Sequence, residues 1–220
     1  MPPPPLICHP GTMWAGNRLV PDARALVACL LAALPDRLAH SRQAGSQARQ
    51  IAAAVPPEDR DLHIAAALLH DIGYAPALVQ TGFHPIDGAR HLAMSGAPYR
   101  LVGLVAHHSE ARLLAEPAGV RTQLSAFERE DSPVTDALSY ADMTAGPTGA
   151  PMTIEDRLRD IEARHRDDDP ALLAARLLRE PRLLAAADRV RRRLGRAGDE
   201  GRSDSNGRDG SGVPMSGAQL

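Results

Sequence analysis

The sequence predicts an all-α protein, and three observations predict it. Ala, Leu and Arg dominate a chain in which aromatic residues make up only 3%, a mix that favours helices and gives strands little to pack with. Apolar residues recur at helical spacing between breaks set by Pro and Gly. No stretch alternates apolar and polar residues convincingly enough to read as a strand. At 220 residues and 44% hydrophobic content, one well-cored domain is expected rather than two.

Each element follows from its punctuation. Residues 1–20 carry four consecutive prolines and few periodic apolar positions, and read as a flexible arm; the helical domain is expected over 21–195. A first helix over about 22–34 stops at Pro35, and a second over about 36–54 stops before Pro56-Pro57. A third, about 58–71, ends in HDIG, where Gly73 could take the left-handed C-terminal conformation. After a loop over 74–83, Pro85 suits the first turn of a helix over about 85–94, closed by Ser95-Gly96. Further helices are expected over about 97–108, near 120–129, and from Ser132-Pro133 to about Met143. Thr153 and Asp156 form a variant capping box for a helix to about Arg166. Two more helices, about 170–179 and 181–195, are separated by Pro181. From Arg196 the Gly, Ser, Asp and Arg composition cannot bury a core, so 196–220 read as a disordered tail.

Composition excludes several functions. All 25 basic residues are Arg, so there is no Schiff-base lysine and no P-loop lysine. A net charge of -2 argues against a general polyanion binder. Cys8 and Cys29, the only cysteines, suggest neither a disulfide framework nor a zinc knuckle. The opening segment lacks a basic stretch followed by an apolar one, so no signal peptide is expected. The longest apolar run, Ala25 to Leu34, is half of the ~20 residues a membrane span needs, so a cytoplasmic protein without a membrane partner is expected. The basic end of the last helix (Arg189, Arg191, Arg192, Arg193, Arg196) is diluted by Asp188, Asp199 and Glu200 and has no interleaved aromatic, which speaks against nucleic acid as a partner.

The chemistry-bearing residues are His and Asp. His70-Asp71 end a helix of Ala and Leu, where a buried carboxylate needs a cation or hydrogen bonds and the helix dipole favours positive charge. His40, His84, His107, His108 and Asp142 stand on other expected helices or at their ends. Imidazole and carboxylate together suit first-row transition metals. An Asp beside a His can turn one oxygen toward each of two ions. One of the adjacent His107 and His108 could point inward, while both need not. Ala44 and Ala48 share the face of His40 and leave room for a ligand site or a closely packed helix. His63 and His91 could orient ligands from behind.

His40, His70-Asp71 and Asp142, in that order and on helices, resemble the HD-domain metal-dependent phosphohydrolases, and HDIG at 70–73 matches the signature that names one subset. The resemblance covers about residues 36–145. It implies an HD-domain-like helical bundle with a first metal on His40, His70, Asp71 and Asp142. It further implies a second on His84 and one of His107 and His108, with Asp71 bridging. His108 is preferred because Ser109 follows it; His107 stays open because one branch of the family has a His-His pair. His70 and Asp71 then form the catalytic centre. The cofactor implied is one or two divalent transition-metal ions, with Fe, Mn, Co or Ni favoured by the donor set over Zn or Mg. The partner implied is a small phosphorylated substrate such as a nucleotide, cleaved at an ester or anhydride by metal-activated water. Arg37, Arg42, Arg100 and Arg112, near the ligand stations in sequence, are candidates for holding phosphate. SEARLLAEPAG follows the His pair where the cyclic-dinucleotide branch carries Gly-Tyr-Pro, so cyclic di-GMP cleavage is not expected. Two alternatives share the scaffold: a di-iron oxygenase acting on an uncharged polyol, and a nucleotide- or metal-binding module without turnover.

Overall fold

The computed structural model describes Trp14 and residues 18–206, with the helical backbone alone for 198–206. Its helices are α1 (Leu19–Leu30), α2 (Pro35–Gln50), α3 (Arg60–Leu69), α4 (His84–Met94), α5 (Tyr99–His107), α6 (Ala111–Ala115), α7 (Arg121–Leu124), α8 (Pro133–Met143), α9 (Ile154–His165) and α10 (Pro170–Asn206). The described residues contain no β-strand, only an isolated bridge between Ala145 and Pro151. The all-α expectation holds.

Helix α3 is the axis of the bundle. Every residue from Leu62 to Leu69 is buried, as expected of a helix packed on all sides. It is flanked by α1, α2, α5 and α8. Helix α2 is polar overall, yet it buries His40, Ser41, Ala44, Gly45 and Ala48 along one stripe. The small residues are what let α3 come close: a Cβ at Gly45 would stand 2.5 Å from Leu68 Cδ2. Pro35 at the start of α2, Pro85 in the first turn of α4 and Pro133 at the start of α8 all sit where a missing N–H costs nothing. Ser132 caps α8 by accepting from the Val134 and Thr135 amides. Thr153 caps α9 by accepting from the Asp156 amide, while its hydroxyl donates to Asp156 Oδ2 at 2.7 Å.

Two expectations change, at Gly73 and at Pro181. Gly73 is absent from the residues with positive φ. Its lack of a side chain serves space instead, since a Cβ there would stand 2.0 Å from the His84 carbonyl oxygen and 2.7 Å from the Gly88 amide. The turn after Asp71 thus packs backbone to backbone on the start of α4. The two C-terminal helices are one, with Pro181 inside α10. Pro181 removes the bond to the Leu177 carbonyl, but both residues lie on the exposed side, where water can serve that oxygen. The same helix continues past Arg196 to Asn206, into the stretch expected to be tail, and 207–220 lie outside the described residues. In the stretch expected to be an arm, Trp14 is tied down: its amide donates to Asp22 and its indole N–H to the Ser95 carbonyl, at 2.9 and 3.2 Å.

Among the described residues, no helix is long and apolar enough to cross a membrane.

Gly73→Ala is expected to cost roughly 1–3 kcal/mol or more, because neither backbone can yield easily. Gly195→Ala, in open space within α10, should gain roughly 0.5–1 kcal/mol. Urea midpoints at constant m-value would show both.

Candidate metal centre

Five segments bring their ligands to the floor of a cavity of about 310 Å³. His40 comes from the middle of α2 and His70 from the C-cap of α3. Asp71 starts the 3-10 turn that Gly73 presses onto α4. His84 opens α4, His108 follows α5, and Asp142 lies in the last turn of α8.

Asp71 stands between two groups. Its Oδ2 lies 3.7 Å from His40 Nε2, and its Oδ1 lies 3.5 Å from His70 Nε2, 3.3 Å from His84 Nε2 and 4.0 Å from His108 Nε2. Asp142 Oδ1 lies 3.2 Å from His40 Nε2 and 3.6 Å from His70 Nε2. Two sets, His40 with His70 and Asp71, and Asp71 with His84 and His108, each have ligand atoms within 4.8 Å of one another and could hold a metal ion. Donors at about 2.0–2.2 Å from one ion lie about 3.0–3.5 Å apart; three of these six separations fall in that range and the other three reach 3.6–4.0 Å.

The tautomers make the argument stronger. His40 Nδ1 faces the Gly146 carbonyl at 3.1 Å, His70 Nδ1 the Ala67 carbonyl at 2.8 Å, and His108 Nδ1 the Val105 carbonyl at 2.7 Å. A carbonyl only accepts, so each Nδ1 carries the hydrogen and each neutral ring turns a bare Nε2 inward. Yet His40 Nε2 and His70 Nε2 are 3.1 Å apart, and His84 Nε2 and His108 Nε2 are 3.2 Å apart. In the first pair both inner nitrogens are bare, and two lone pairs at that distance need a cation between them, either a proton or a metal; in the second, His84 Nε2 can carry the hydrogen itself and donate. The donor set therefore fits a divalent transition ion.

The electrostatics agree. Burial works against a charged His70, but Asp71 and Asp142 outweigh it and raise its pKa to about 9. Burial, then the neighbouring His70 and His84, push His108 down to about 3. Burial opposes charge on Asp71 and Asp142 as well, yet the surrounding imidazoles hold both well below the usual carboxylate range. Arg37 donates to Asp71 Oδ2 at 3.0 Å and lies 3.9 Å over the Tyr74 ring, whose other neighbour is the His84 ring, stacked at 4.0 Å. Ser109 donates to Asp142 Oδ2. It does so from a left-handed turn, since Ser109 and Glu110 have φ of 48° and 58°. Two adjacent non-Gly residues in that region mark strain held at a site.

Of the expected ligands, the structure brings together His40, His70, Asp71, His84, His108 and Asp142 but not His107. His107 is a correction: its Nε2 faces the Phe127 carbonyl at 2.9 Å, away from the cluster. The helix ends at His107, and the extended backbone of His108 (φ -54°, ψ 147°) turns only the second histidine inward. His63 is buried and faces the Ala137 backbone rather than a ligand; burial pushes it down to about 4. Among the phosphate candidates only Arg37 lines the cavity. Arg100 is committed to Asp59 and Glu130, Arg112 pairs with Glu110, and Arg42 lines a separate pocket by Arg24 and Leu68. Sequence proximity did not single out Arg157, Arg164, Arg176 and Arg179, which do line it. Their signal was the seven-residue step on α9 and the three-residue step on α10, which put each pair on one face.

The described residues thus form an all-α bundle whose buried His and Asp cluster could hold metal and opens to a cavity lined by arginine. The HD domain family matches residues 37–193, and the chain belongs to that family of metal-dependent hydrolases, which are generally phosphohydrolases. No curated protein and no solved structure gives a significant match.

Metal at His70 must displace a proton that is held up to about pH 9, so affinity should rise about tenfold per pH unit toward that value. The same proton stabilises the metal-free fold fully below pH 6.5, and this contribution is lost as pH rises through about 9. Titration with Mn in weak buffer should show proton release. His70→Ala and Asp71→Ala should purify without metal, and His107→Ala should purify with it.

Proposed function

We propose that this chain is an HDIG-type phosphohydrolase that uses a two-metal centre to cleave a phosphate ester or anhydride of a small phosphorylated molecule. The observation that carries this reading is the Asp71 carboxylate shared by two ligand sets beneath a cavity walled by arginine. Divalent ions on His40, His70, Asp71, Asp142, His84 and His108 would supply water acidified to near neutral pH and positive charge against phosphoryl oxygens.

The chain's own residues set the stage for that chemistry. Backbone carbonyls fix three imidazoles in the tautomer that turns Nε2 inward. Arg37 and Ser109 hold the outer oxygens of Asp71 and Asp142, so each carboxylate keeps one orientation. His84 is the most open ligand, with 23% of its side chain exposed against 10% or less for the others, so substrate approaches from its side. The arginines favour an anion, whereas an uncharged polyol would leave them unmatched. Both ligand sets are complete, which favours turnover over a binding module. Nucleotides are the first substrate class to try.

Phosphomonoesters, phosphodiesters, nucleotides and dinucleoside polyphosphates should be assayed with Mn, Fe, Co and Ni. Phosphate release is expected, with losses in His70→Ala and Asp71→Ala larger than the roughly 10–100-fold that an orienting partner costs. Ser109→Ala should fall within that roughly 10–100-fold range, in activity or in metal affinity. Dioxygen consumption without phosphate release, or full activity and metal content in His70→Ala, would sink the reading.

A further inference from the structure

The wall of the cavity formed by α9 and α10 is cationic beyond its own needs. Arg157 and Arg164 share one carboxylate, Asp160, at 2.8 and 2.6 Å. Arg176 shares Asp168 with His165, at 2.7 and 3.2 Å. Arg179 has no carboxylate; its Nε donates to the Ser109 carbonyl, in the turn that also holds Asp142. The Arg157 side chain is only 7% exposed, and its Nε has no hydrogen-bond partner. All four guanidiniums line the same cavity as His84, Asp71 and Asp142. A desolvated guanidinium with an unmatched donor is costly unless an anion completes it, and phosphate oxygens fit its fork.

A monophosphate does not account for this wall. Its single phosphoryl group would sit over the ligand cluster at the floor, leaving Arg157 Nε without an acceptor and Arg179 without an anion. Tyr74 offers no free face for stacking a base, because both its faces are taken by Arg37 and His84.

Resting on the phosphohydrolase reading, we propose that the α9–α10 wall is a second phosphate subsite and that the substrate is a phosphoanhydride recognised chiefly by its phosphates. The terminal phosphoryl group lies over the His and Asp cluster. The adjoining phosphate lies on Arg179 and Arg157, with Arg164 and Arg176 around its outer oxygens. Water forms the new O–P bond to the terminal phosphorus. The bridging O–P bond breaks, and its electron pair stays on the leaving phosphate, where the guanidiniums neutralise it. The proton lost by the water passes to solvent.

The test uses the full chain loaded with Mn. The kcat/KM for ADP should exceed that for AMP by about tenfold or more, and inorganic pyrophosphate should compete about tenfold more tightly than inorganic phosphate. Arg179→Met should bring both ratios to within about threefold of one. Arg164→Met, at the more exposed rim, should lower both ratios partly, and it serves if Arg179→Met fails to fold. Calorimetry of pyrophosphate and phosphate binding gives a readout independent of turnover. If AMP is hydrolysed as well as ADP and pyrophosphate binds no tighter than phosphate, the second subsite is overturned while the phosphohydrolase stands. If nothing is hydrolysed but pyrophosphate keeps an Arg179-dependent advantage, the subsite stands and the phosphohydrolase reading falls.

Discussion

The structure is organised around lone pairs that face one another. Backbone carbonyls of Gly146, Ala67 and Val105 fix the outer nitrogens of His40, His70 and His108 as donors. The inner nitrogens of His40 and His70 are thereby forced to meet as acceptors across 3.1 Å, and the Asp71 carboxylate links that pair to His84 and His108, whose inner nitrogens lie 3.2 Å apart. Such a centre holds together only around positive charge. The packing of α2, α3, α4 and α8, and of the turn after α5, serves that convergence. The small stripe on α2 brings His40 within reach of His70, and the side-chain-free Gly73 brings Asp71 within reach of His84.

Much of this was legible in the sequence because the signals are local. Prolines at helix starts and the Ala and Leu runs mark the elements. His and Asp at the ends of separate helices mark the centre. What was not legible depends on backbone conformation or on distant parts of the chain. His107 and His108 are chemically equal neighbours, and only the break in helical dihedrals after His107 decides between them. Gly73 looks like a helix stop, but its role is set by a carbonyl that arrives with the start of α4, at His84. Gly146, whose carbonyl orients His40 from 106 residues away, is one of many glycines until the chain is folded. The arginines nearest the ligands in sequence are mostly used elsewhere, while those lining the cavity come from α9 and α10.

The basic end of α10 illustrates the same point. Arg189 and Arg193 both bind Asp136, with contacts of 2.6 and 2.8 Å, and Arg191 pairs with Asp188. Two of the charges that suggest an outward-facing patch are therefore internal fasteners. They lock α10 to α8, the helix that supplies Asp142. Higher up, Arg179 fastens α10 to the Ser109 turn that steadies the same carboxylate. The ligand Asp142 and the α10 side of the wall share one frame.

Helix α9 stands outside that frame. It rests on a separate small cluster of Met143, Ile154, Leu183 and Ala187, with Leu158 and Ile161 packed against it. Its arginines meet carboxylates on α9 itself at Asp156 and Asp160. The position of Arg157 and Arg164 along the cavity is thus set by a handful of aliphatic side chains separate from the main core.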